Sequence, residues 1–300
     1  MTIDNPCVSI IINCYNGEKY LNETLESVLN QTYNNWEVIF WDNQSTDSSA
    51  KIFKSFQDKR FHYFYASEHT SLYKARNLAI EKSNCDFISF LDTDDLWDKN
   101  KLELQMDFFK DQKVGVVFSN VWIIKKNINV KKLYSKKKLP SGYIYKNLIK
   151  NYNVSILTAV IRKKYYLKLE KNFDERFTMI GDFDLFLRLS KLCEFKSVQL
   201  PLAFYRLHGG NLTITMKEKE VEEFETWLNE NRHNLDKYDI ENFQKNLNQR
   251  KFINFKIDGN YLKPLKLLLG NKLNIFNFKN IIIFFIPVFL LKKILWWHQG

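Results

Sequence analysis

The stretch that decides the fold is Asp86–Asp98, which reads DFISFLDTDDLWD. Its apolar residues form a short, nearly continuous run, which is typical of a strand buried on both faces of a sheet. The run stops at three carboxylates, Asp92, Asp94 and Asp95. A buried strand that ends in clustered acids places negative charge at the carboxyl edge of a sheet, where open α/β folds bind ligands.

These carboxylates would repel one another at that edge unless a cation or a hydrogen-bonded ligand lay between them. Oxygen ligands of this kind suit Mg²⁺ or Mn²⁺, and substrate phosphates usually complete the coordination. The alternative is an Asp-rich turn in which Asp95 or Asp98 caps the helix that follows. The local sequence leaves both interpretations open.

Apolar runs on either side of this stretch alternate with helical patterns. Further strands are predicted at Val8–Cys14, Trp36–Trp41, Phe61–Tyr65 and Val114–Asn120, and helices at Lys19–Gln31, Tyr73–Ser83 and Lys99–Asp111. This alternation predicts an α/β fold with right-handed crossovers and a mostly parallel sheet. Tyr15 and Asp42 follow the first two strands and should reach the same edge as Asp92 and Asp94. No GxGxxG or GxxxxGK[ST] stretch occurs, so phosphate would need a metal and basic side chains.

The net charge of +11 is concentrated in two segments. Val121–Lys138 holds seven lysines and Gly259–Gly300 holds six, and neither contains an acid. Such local basic character indicates a directed surface. The simplest interpretation of Val121–Lys138 is a solvated loop, and the sharper one is contact with anionic lipid or a lipid diphosphate acceptor. No nucleic-acid motif accompanies the charge, so nucleic acid is not a predicted partner.

The cysteines show neither a CxxC pair nor the spacing of zinc ligands; they are Cys7, Cys14, Cys85 and Cys193. They are predicted to be small buried residues in a reducing cytosol. The first six residues are polar, and the apolar run Val8–Ile12 is too short for a secretory signal, so a cytoplasmic location is expected.

From residue 216 onwards the pattern becomes helical, which predicts a C-terminal extension over 216–300. Its uncharged run Ile281–Leu291 has 11 residues, and as a helix it would extend about 16 Å against roughly 30 Å of hydrocarbon. It should not span a bilayer. The lysines and paired tryptophans that follow favour a segment, 281–297, lying in the interface of an anionic membrane. Burial against the core or another subunit is the alternative.

Several motifs occur in order along the chain. SIIINCYNGEKY, VIFWDNQSTDSS, KARN and FLDTDD resemble the forms "SIIIPTYN", "VDDGSTD", "ARN" and "LDxDD" of the family 2 glycosyltransferases, and the resemblance covers Val8 to about Leu212. It implies a GT-A fold, with a nucleotide-sugar half at 1–120 and an acceptor half at 121–215. It also implies metal-dependent, inverting sugar transfer.

On the donor side, the resemblance implies that Tyr15 lies beside the base and that Asp42 hydrogen-bonds the uracil or ribose. Arg76, with Asn77, would bind the diphosphate or nucleotide, and Asp92 would contact the ribose or reach the metal through water. From the residues alone, Asp42 could instead begin an Asx turn, and Arg76 could be an ordinary surface arginine. The usual second acid after Asp42 is Asn43 here, which departs from the family pattern.

For the metal and the acceptor, the resemblance assigns the divalent ion, Mn²⁺ or Mg²⁺, to Asp94. His208 would complete the metal shell or touch the diphosphate, with Arg206 nearby, although a lone histidine is more often structural. Asp182 corresponds to the catalytic base of the family, and its alternative is a helix N-cap. The family's preceding Glu is Gly181 here.

These features predict an inverting transferase that moves a single sugar from a nucleotide-diphosphate sugar, UDP-linked, to a saccharide acceptor carried on a lipid. Surface polysaccharide, lipooligosaccharide or protein-glycan assembly at the inner face of the cell membrane would use such an enzyme. A QxxRW motif and the multiple membrane helices of a processive synthase are absent from the sequence. The alternatives are a nucleotidyltransferase of related fold and a non-catalytic, membrane-associated protein that binds sugar nucleotides.

Overall fold

The computed structural model describes residues 6–125, 131–263 and 281–291. The chain divides into two compact units, Met1–His208 and Gly209–Gly300. The division falls before residue 216, where the sequence pattern placed the start of the helical extension. Both predicted halves, 1–120 and most of 121–215, lie in the first unit, where they share one sheet.

The first unit alternates strands and helices. Its strands are β1 (Val8–Cys14), β2 (Trp36–Asp42), β3 (Phe61–Tyr65), β4 (Phe87–Phe90), β5 (Leu96–Trp97), β6 (Val114–Ile124), β7 (Lys131–Leu133), β8 (Val160–Arg162) and β9 (Glu194–Arg206). Its α-helices are α1 (Glu18–Leu29), α2 (Ser49–Ser55), α3 (Leu72–Glu81), α4 (Lys101–Met106), α5 (Tyr145–Lys150), α6 (Lys163–Tyr166) and α7 (Gly181–Ser190).

The first four strands form a parallel sheet, in the order β3-β2-β1-β4. The side chains of β1, β2 and β4 are largely buried, because helices cover both faces of a doubly wound sheet, whereas those of the edge strand β3 are partly exposed. β1 pairs with β2 up to Cys14 opposite Asp42, and with β4 up to Ile11 opposite Phe90. The carboxyl ends of three strands therefore meet at one edge, as predicted, and the residues that follow them come together there.

The rest of the sheet is mixed. β8 lies antiparallel between β4 and β6, β6 pairs in parallel with β9, and β5 pairs antiparallel with β9. This combination of a parallel half and a mixed half is the α/β architecture expected of a GT-A domain, and the predicted fold class is confirmed. The helix predicted at Lys99–Asp111 is divided into α4 and a 3₁₀ turn, Asp107–Lys110.

Part of the segment predicted as a solvated loop, Val121–Lys138, is a β-hairpin. β6 continues to Ile124, and β7 pairs with it antiparallel, with Trp122 opposite Leu133. The loop prediction was wrong for these strands, because the buried side chains of Val121, Ile123 and Ile124 extend the strand into the lysine-rich segment. Residues 126–130 lie outside the described residues.

The cysteine prediction was wrong for one pair. Cys7 and Cys85, which are 78 positions apart in sequence, form a disulfide with their Cα atoms 5.0 Å apart. They meet because each comes just before one of two neighbouring parallel strands, β1 and β4. A spacing of that length gives no local signal. Cys14 and Cys193 are free and buried, as predicted.

The second unit is helical, as predicted. It contains α8 (Leu212–Thr215), α9 (Lys217–Asn231), α10 (Lys237–Ile257) and helical residues 281–285 and 288–291. α9 packs on α10 through Trp227 and Phe243, whose ring centroids are 5.3 Å apart. Phe252, Ile283 and Leu291 form a small second core. Across the described ranges no helix combines the length and the apolar character needed to cross a membrane.

Candidate active site

The loop that follows β4 turns its three carboxylates in different directions. Asp95 has almost no exposed surface, and its Oδ1 accepts the backbone N–H of Arg206 at 2.8 Å. Burial, followed by the nearby charges of Asp94 and Asp92, raises the pKa of Asp95 well above its usual value. Asp92 is the more open of the three, with 41% of its side chain exposed. Asp95 therefore anchors the loop to β9, and the side chains of Asp92 and Asp94 remain more exposed than that of Asp95.

Arg206, predicted to bind substrate, also supports this loop. Its Nε donates to the backbone oxygen of Asp94 at 2.9 Å, and its Nη2 pairs with Glu23 at 2.7 Å. The guanidinium lies 4.5 Å from the centre of the Tyr20 ring, and only 5% of Arg206 is exposed. The last residue of β9 is thus an arginine that holds the acidic loop in place by bonding its backbone.

Asp94 and His208, the predicted metal ligands, lie in direct contact. Asp94 Oδ2 and His208 Nε2 are 2.7 Å apart. Burial, and then the neighbouring charge of Asp92, raise the pKa of the Asp94 carboxyl. In ranges 6–125, 131–263 and 281–291, no three or more His, Cys, Asp or Glu side chains converge as a complete metal site.

The two side chains nonetheless fit a divalent ion that takes its other ligands from phosphate and water. In an octahedral site, two neighbouring ligand atoms that each lie about 2.1 Å from the ion are about 3.0 Å from each other. Asp94 Oδ2 and His208 Nε2, at 2.7 Å, would need to move apart only slightly to bind such an ion. A carboxylate with an imidazole is a donor set that Mn²⁺ accepts readily.

Tyr15, which follows β1, and His69, in the loop between β3 and α3, form an aromatic lip. Tyr15 is 56% exposed, and its ring lies 4.3 Å from that of His69, which is also exposed. His69 Nδ1 lies 2.8 Å from the backbone oxygen of Asn43. Because a carbonyl only accepts, Nδ1 carries the proton and the ring is held in one orientation. The lip presents two rings at the sheet edge.

Asp42 lies beneath this lip with no exposed surface. Its Oδ1 accepts the backbone N–H of Ser45 at 2.7 Å, and its Oδ2 accepts the hydroxyl of Tyr63 at 2.6 Å. Both oxygens therefore already have protein partners. The side chain of Asn43 bonds the backbone of Thr70 in both directions, at 2.8 and 3.1 Å.

α3 contributes Arg76 and Asn77. Arg76 is 3% exposed, and its Nη2 donates to Asp92 Oδ1 at 2.8 Å. The Asn77 amide donates to Phe173 O and Glu175 and accepts from Phe173 N–H and the Tyr166 hydroxyl, at 3.0–3.1 Å. These four bonds use the full capacity of an amide side chain. Asn77 thus holds the 173–175 segment.

Asp182, the predicted base, lies at the second residue of α7 and is partly buried. Its Oδ2 accepts the Tyr152 hydroxyl at 2.8 Å, and its Oδ1 lies 3.4 Å from the Tyr73 hydroxyl. Burial raises the pKa of Asp182, while the Tyr152 hydrogen bond and the charge of Arg76 oppose that rise. Arg76 is thus in electrostatic range of Asp182 and bonded to Asp92, which brings the two predicted parts of the site together.

Sequence reasoning missed Glu23, Tyr63, His69, Tyr73 and Tyr152. Each of these five contacts a predicted residue, and the ring of His69 lies tilted against that of Tyr15. Their partners are distant in sequence: Tyr73 lies 109 residues from Asp182. Only Tyr73 carried a hint, since it stands three residues before Arg76 of the KARN motif.

The sequence of the first unit matches the model of a known protein family. The chain matches the family model described as Glycosyl transferase family 2 over residues 9–168, which is more than half of its length. The chain belongs to this family.

Two relatives give the similarity in more detail. "Putative teichuronic acid biosynthesis glycosyltransferase TuaG" of Bacillus subtilis (strain 168) is 31% identical over 166 residues, which are 55% of this chain and 65% of TuaG. "UDP-Glc:alpha-D-GlcNAc-diphosphoundecaprenol beta-1,3-glucosyltransferase WfgD" of Escherichia coli is 34% identical over 159 residues, which are 53% of this chain and 61% of WfgD. The aligned part spans less than two thirds of either relative.

Among solved structures, mannosyltransferase PcManGT from Pyrobaculum calidifontis, in complex with GDP-Man and Mn²⁺, is similar to this chain with a TM-score of 0.62. The similarity covers 99% of this chain and 84% of PcManGT, at 14% identity. At 14% identity this similarity establishes the fold alone, and that fold agrees with the GT-A architecture.

Proposed function

We propose that this protein is an inverting glycosyltransferase that moves one sugar from a UDP-linked donor to a saccharide acceptor carried on a lipid diphosphate. The observation that carries the proposal is the position of Arg76, which bonds Asp92 on the donor side and lies 5.5 Å from the ring of Tyr73, whose hydroxyl contacts Asp182. The names of the relatives support it, since WfgD uses UDP-Glc and a diphosphoundecaprenol-linked acceptor, and TuaG is assigned to teichuronic acid biosynthesis. Synthesis of a surface polysaccharide is the role we infer.

In this reaction, Asp182 removes the proton from the acceptor hydroxyl as its oxygen attacks the anomeric carbon. The bond between that carbon and the β-phosphate oxygen breaks, UDP leaves with the bonding electron pair, and the configuration inverts. Asp182 suits this role because burial raises the pKa of its carboxyl, which makes it a better base than an exposed aspartate.

On the donor side, Tyr15 would contact the base from the aromatic lip, and Asp92 would contact the ribose. We assign positioning roles to Asp42, Asn77 and Arg206, because their polar atoms are already bonded to the protein. Asp42 shapes the loop under the base, Asn77 the 173–175 segment, and Arg206 the acidic loop. Arg76 would hold Asp92 in place and add positive charge near the diphosphate.

Asp94 and His208 would hold a Mn²⁺ or Mg²⁺ ion, which when bound offsets the charge that develops on the departing diphosphate. The Mn²⁺ complex of PcManGT supports this assignment. We expect Mn²⁺ to strengthen UDP binding by the full chain in calorimetry, and Asp94→Asn to remove that gain. Equal UDP affinity with Mn²⁺ and with EDTA would rule out the metal site.

Asp182→Asn tests the base. Release of UDP would be measured from UDP-glucose, UDP-galactose, UDP-GlcNAc and UDP-GalNAc, with and without a short-chain GlcNAc-diphospholipid. We expect Asp182→Asn to bind UDP normally and to lose transfer by about 10²–10⁴-fold, the contribution of a positioned general base. Asp107→Asn, on an exposed turn, is the control and should match the wild type.

Unchanged transfer by Asp182→Asn would contradict the assignment of the base. UDP binding with no turnover by the wild type would favour a binding protein over an enzyme.

The same proposal places the protein at the inner face of the cell membrane, in peripheral contact with it. In the second unit, Ile282, Phe285 and Phe289 are 51%, 77% and 70% exposed, at spacings of three and four residues. Lys292 and Lys293 follow in the sequence. Exposed aromatic side chains beside lysines are typical of segments that lie in the interface of an anionic membrane.

A further inference from the structure

Two tyrosine hydroxyls converge on Asp182 from different parts of the first unit. Tyr152, in the loop after α5, donates to Oδ2 at 2.8 Å. Tyr73, on α3, places its hydroxyl 3.4 Å from Oδ1 and 3.3 Å from the backbone N–H of Asp182. The Tyr73 hydroxyl can therefore accept from the backbone and donate to the side chain of one residue. Contacts of this kind hold the carboxylate in one orientation relative to α7.

The ring of Tyr73 occupies the space in front of Gly181. A Cβ on residue 181 would lie 2.5 Å from Cε2 of Tyr73 and 2.7 Å from its Cζ, closer than real Cβ atoms approach. The ring cannot easily move away, because it is 3% exposed and stacks on Phe173 at 5.2 Å. Glycine at 181 and tyrosine at 73 are thus one structural unit: the missing side chain makes room for the ring whose hydroxyl reaches Asp182.

Among the described residues, the charged or titratable groups in contact with Asp182 or acting on its charge include Tyr73 and Arg76 from α3, and Tyr152 from the loop after α5. Burial raises the pKa of both tyrosines, and the charge of Asp182 raises it further, so both remain hydroxyl donors at neutral pH. A donor bonded to a carboxylate favours its ionised form. These donors therefore favour the ionised form of the partly buried Asp182 carboxylate and hold it in one orientation.

We propose that Tyr152 and Tyr73 are positioning residues for the base, which hold the Asp182 carboxylate ionised and directed at the acceptor hydroxyl, and that Gly181 is required because it admits Tyr73. This inference rests on the proposed function, in which Asp182 is the base. Neither tyrosine needs to touch the substrate, so their effect should appear in the protonation of Asp182.

The test is the pH dependence of kcat/KM for transfer to the short-chain GlcNAc-diphospholipid, followed as UDP release from UDP-glucose or from whichever tested UDP-sugar the wild type turns over fastest. The acidic limb of this profile reports the pKa of the base in the free enzyme. Tyr152→Phe removes a donor to the ionised carboxylate, so that pKa rises and the limb moves to higher pH. We expect the acidic limb to shift by about one pH unit. At pH values well below the limb, kcat/KM should then fall about tenfold, whereas on the plateau at higher pH it should change little. Tyr73→Phe keeps the ring and loses a longer contact, so its shift should be smaller.

Tyr165→Phe is the matched control, since it removes a tyrosine hydroxyl bonded at 3.0 Å to Gln112 O, away from Asp182. Its profile should coincide with that of the wild type. If Tyr152→Phe and Tyr73→Phe only lower kcat/KM equally at every pH, their role is structural and the inference is wrong. UDP binding and the thermal midpoint would verify that each variant is folded.

A second pair of variants tests the link between Gly181 and Tyr73. Gly181→Ala should lower activity in the wild type, because the new methyl group displaces the Tyr73 ring. In a Tyr73→Ala background the methyl group has room, so Gly181→Ala should add no further loss. Additive losses would contradict the proposed link. Full activity of Asp182→Asn would instead refute the proposed base, and no profile of the tyrosine variants can mimic that result.

Discussion

Lys101 is a lysine with no exposed surface, on α4 in the first unit. Its Nζ donates to Ser89 Oγ at 3.2 Å and lies 3.9 Å from the centre of the Trp97 ring. No carboxylate pairs with it in the part of the chain that the structure describes. Burial therefore holds the pKa of Lys101 well below its usual value. An ammonium group in this place opposes folding.

We expect Lys101→Met to raise the free energy of unfolding at pH 7 by about 1–4 kcal/mol, as when buried ionic groups are replaced by apolar side chains of similar volume. The unfolded chain binds the lysine proton below about pH 10.4, whereas the folded chain resists it, so the wild type regains stability as the pH rises towards that value. The advantage of the variant should therefore shrink between pH 7 and pH 10 in urea denaturation.

Lys99→Met, at an exposed position two residues away, is the control for Lys101→Met and should change neither the stability nor its pH dependence. Ser89 keeps its bond to Ala159 O at 2.7 Å in the variant, so no buried hydroxyl loses its last partner. A pH-independent loss of stability in Lys101→Met would show that the ammonium group is better accommodated than we infer.

The residues of the site differ in how far the sequence could predict them. Asp92, Asp94 and Asp182 stand in short motifs whose residue types the chemistry needs, and the structure places them beside other predicted residues, although their roles stay predictions. Tyr73 and Tyr152 could not be found, because their contacts with Asp182 depend on how α3 and the loop after α5 pack. The sequence also did not predict which polar side chains are buried. Asp42, Asn77 and Arg206 were predicted to contact substrate, but in the structure they are buried and bonded to other parts of the protein.

Elements were predictable where one physical signal dominates. β1 and β3 have the predicted bounds, β2 extends one residue further than predicted, and β4 lies within the apolar run of Asp86–Asp98. β1, β2 and β4 were predictable because strands buried on both faces are nearly uninterrupted apolar runs. β6 was predicted too short, since its last residues enter a lysine-rich segment. Hydrophobic pattern and charge give opposing signals there, and pairing with β9 decides the outcome.

Asn120 in β6 stabilises the segment that follows the hairpin. Its Nδ2 donates to Ser135 O at 2.8 Å, and its Oδ1 accepts Ser135 N–H at 3.0 Å. Asn120→Ala leaves both backbone groups without this partner, at a cost of about 1–3 kcal/mol for partly buried polar groups. We expect a lower thermal midpoint and faster cleavage by trypsin at Lys136–Lys138.

Asn22→Ala is the control for Asn120→Ala, because Asn22 is exposed on α1 and its amide donates to a side chain one turn away, Glu26. It should leave both measurements almost unchanged. Equal trypsin sensitivity of Asn120→Ala and the wild type would mean that the pairing of β7 with β6 is sufficient to hold the segment.

At the scale of the whole molecule, the chain combines a unit that belongs to glycosyltransferase family 2 with a helical unit that carries exposed apolar side chains. The lipid-linked acceptor that we propose lies in a membrane, and an enzyme that stays near that surface searches two dimensions instead of three. The sequence pattern at 281–297 predicted such contact. In the described residues 281–291, Ile283 and Leu291 pack in the second core while Phe285 and Phe289 are exposed, so these two phenylalanines are the side chains through which we propose the contact.

Phe285→Asp with Phe289→Asp in the full chain tests this contact by sedimentation with vesicles of phosphatidylglycerol and phosphatidylcholine. Burying a phenylalanine side chain contributes about 1.5–3 kcal/mol, so losing two should weaken binding at least about 100-fold. The wild type should bind phosphatidylglycerol vesicles more tightly than pure phosphatidylcholine, and added salt should reduce the difference. Tyr238→Asp, which changes another exposed aromatic residue of the second unit, is the control and should sediment like the wild type. If the double variant also sediments normally while UDP release is unchanged, these side chains do not contact lipid and must be covered by protein.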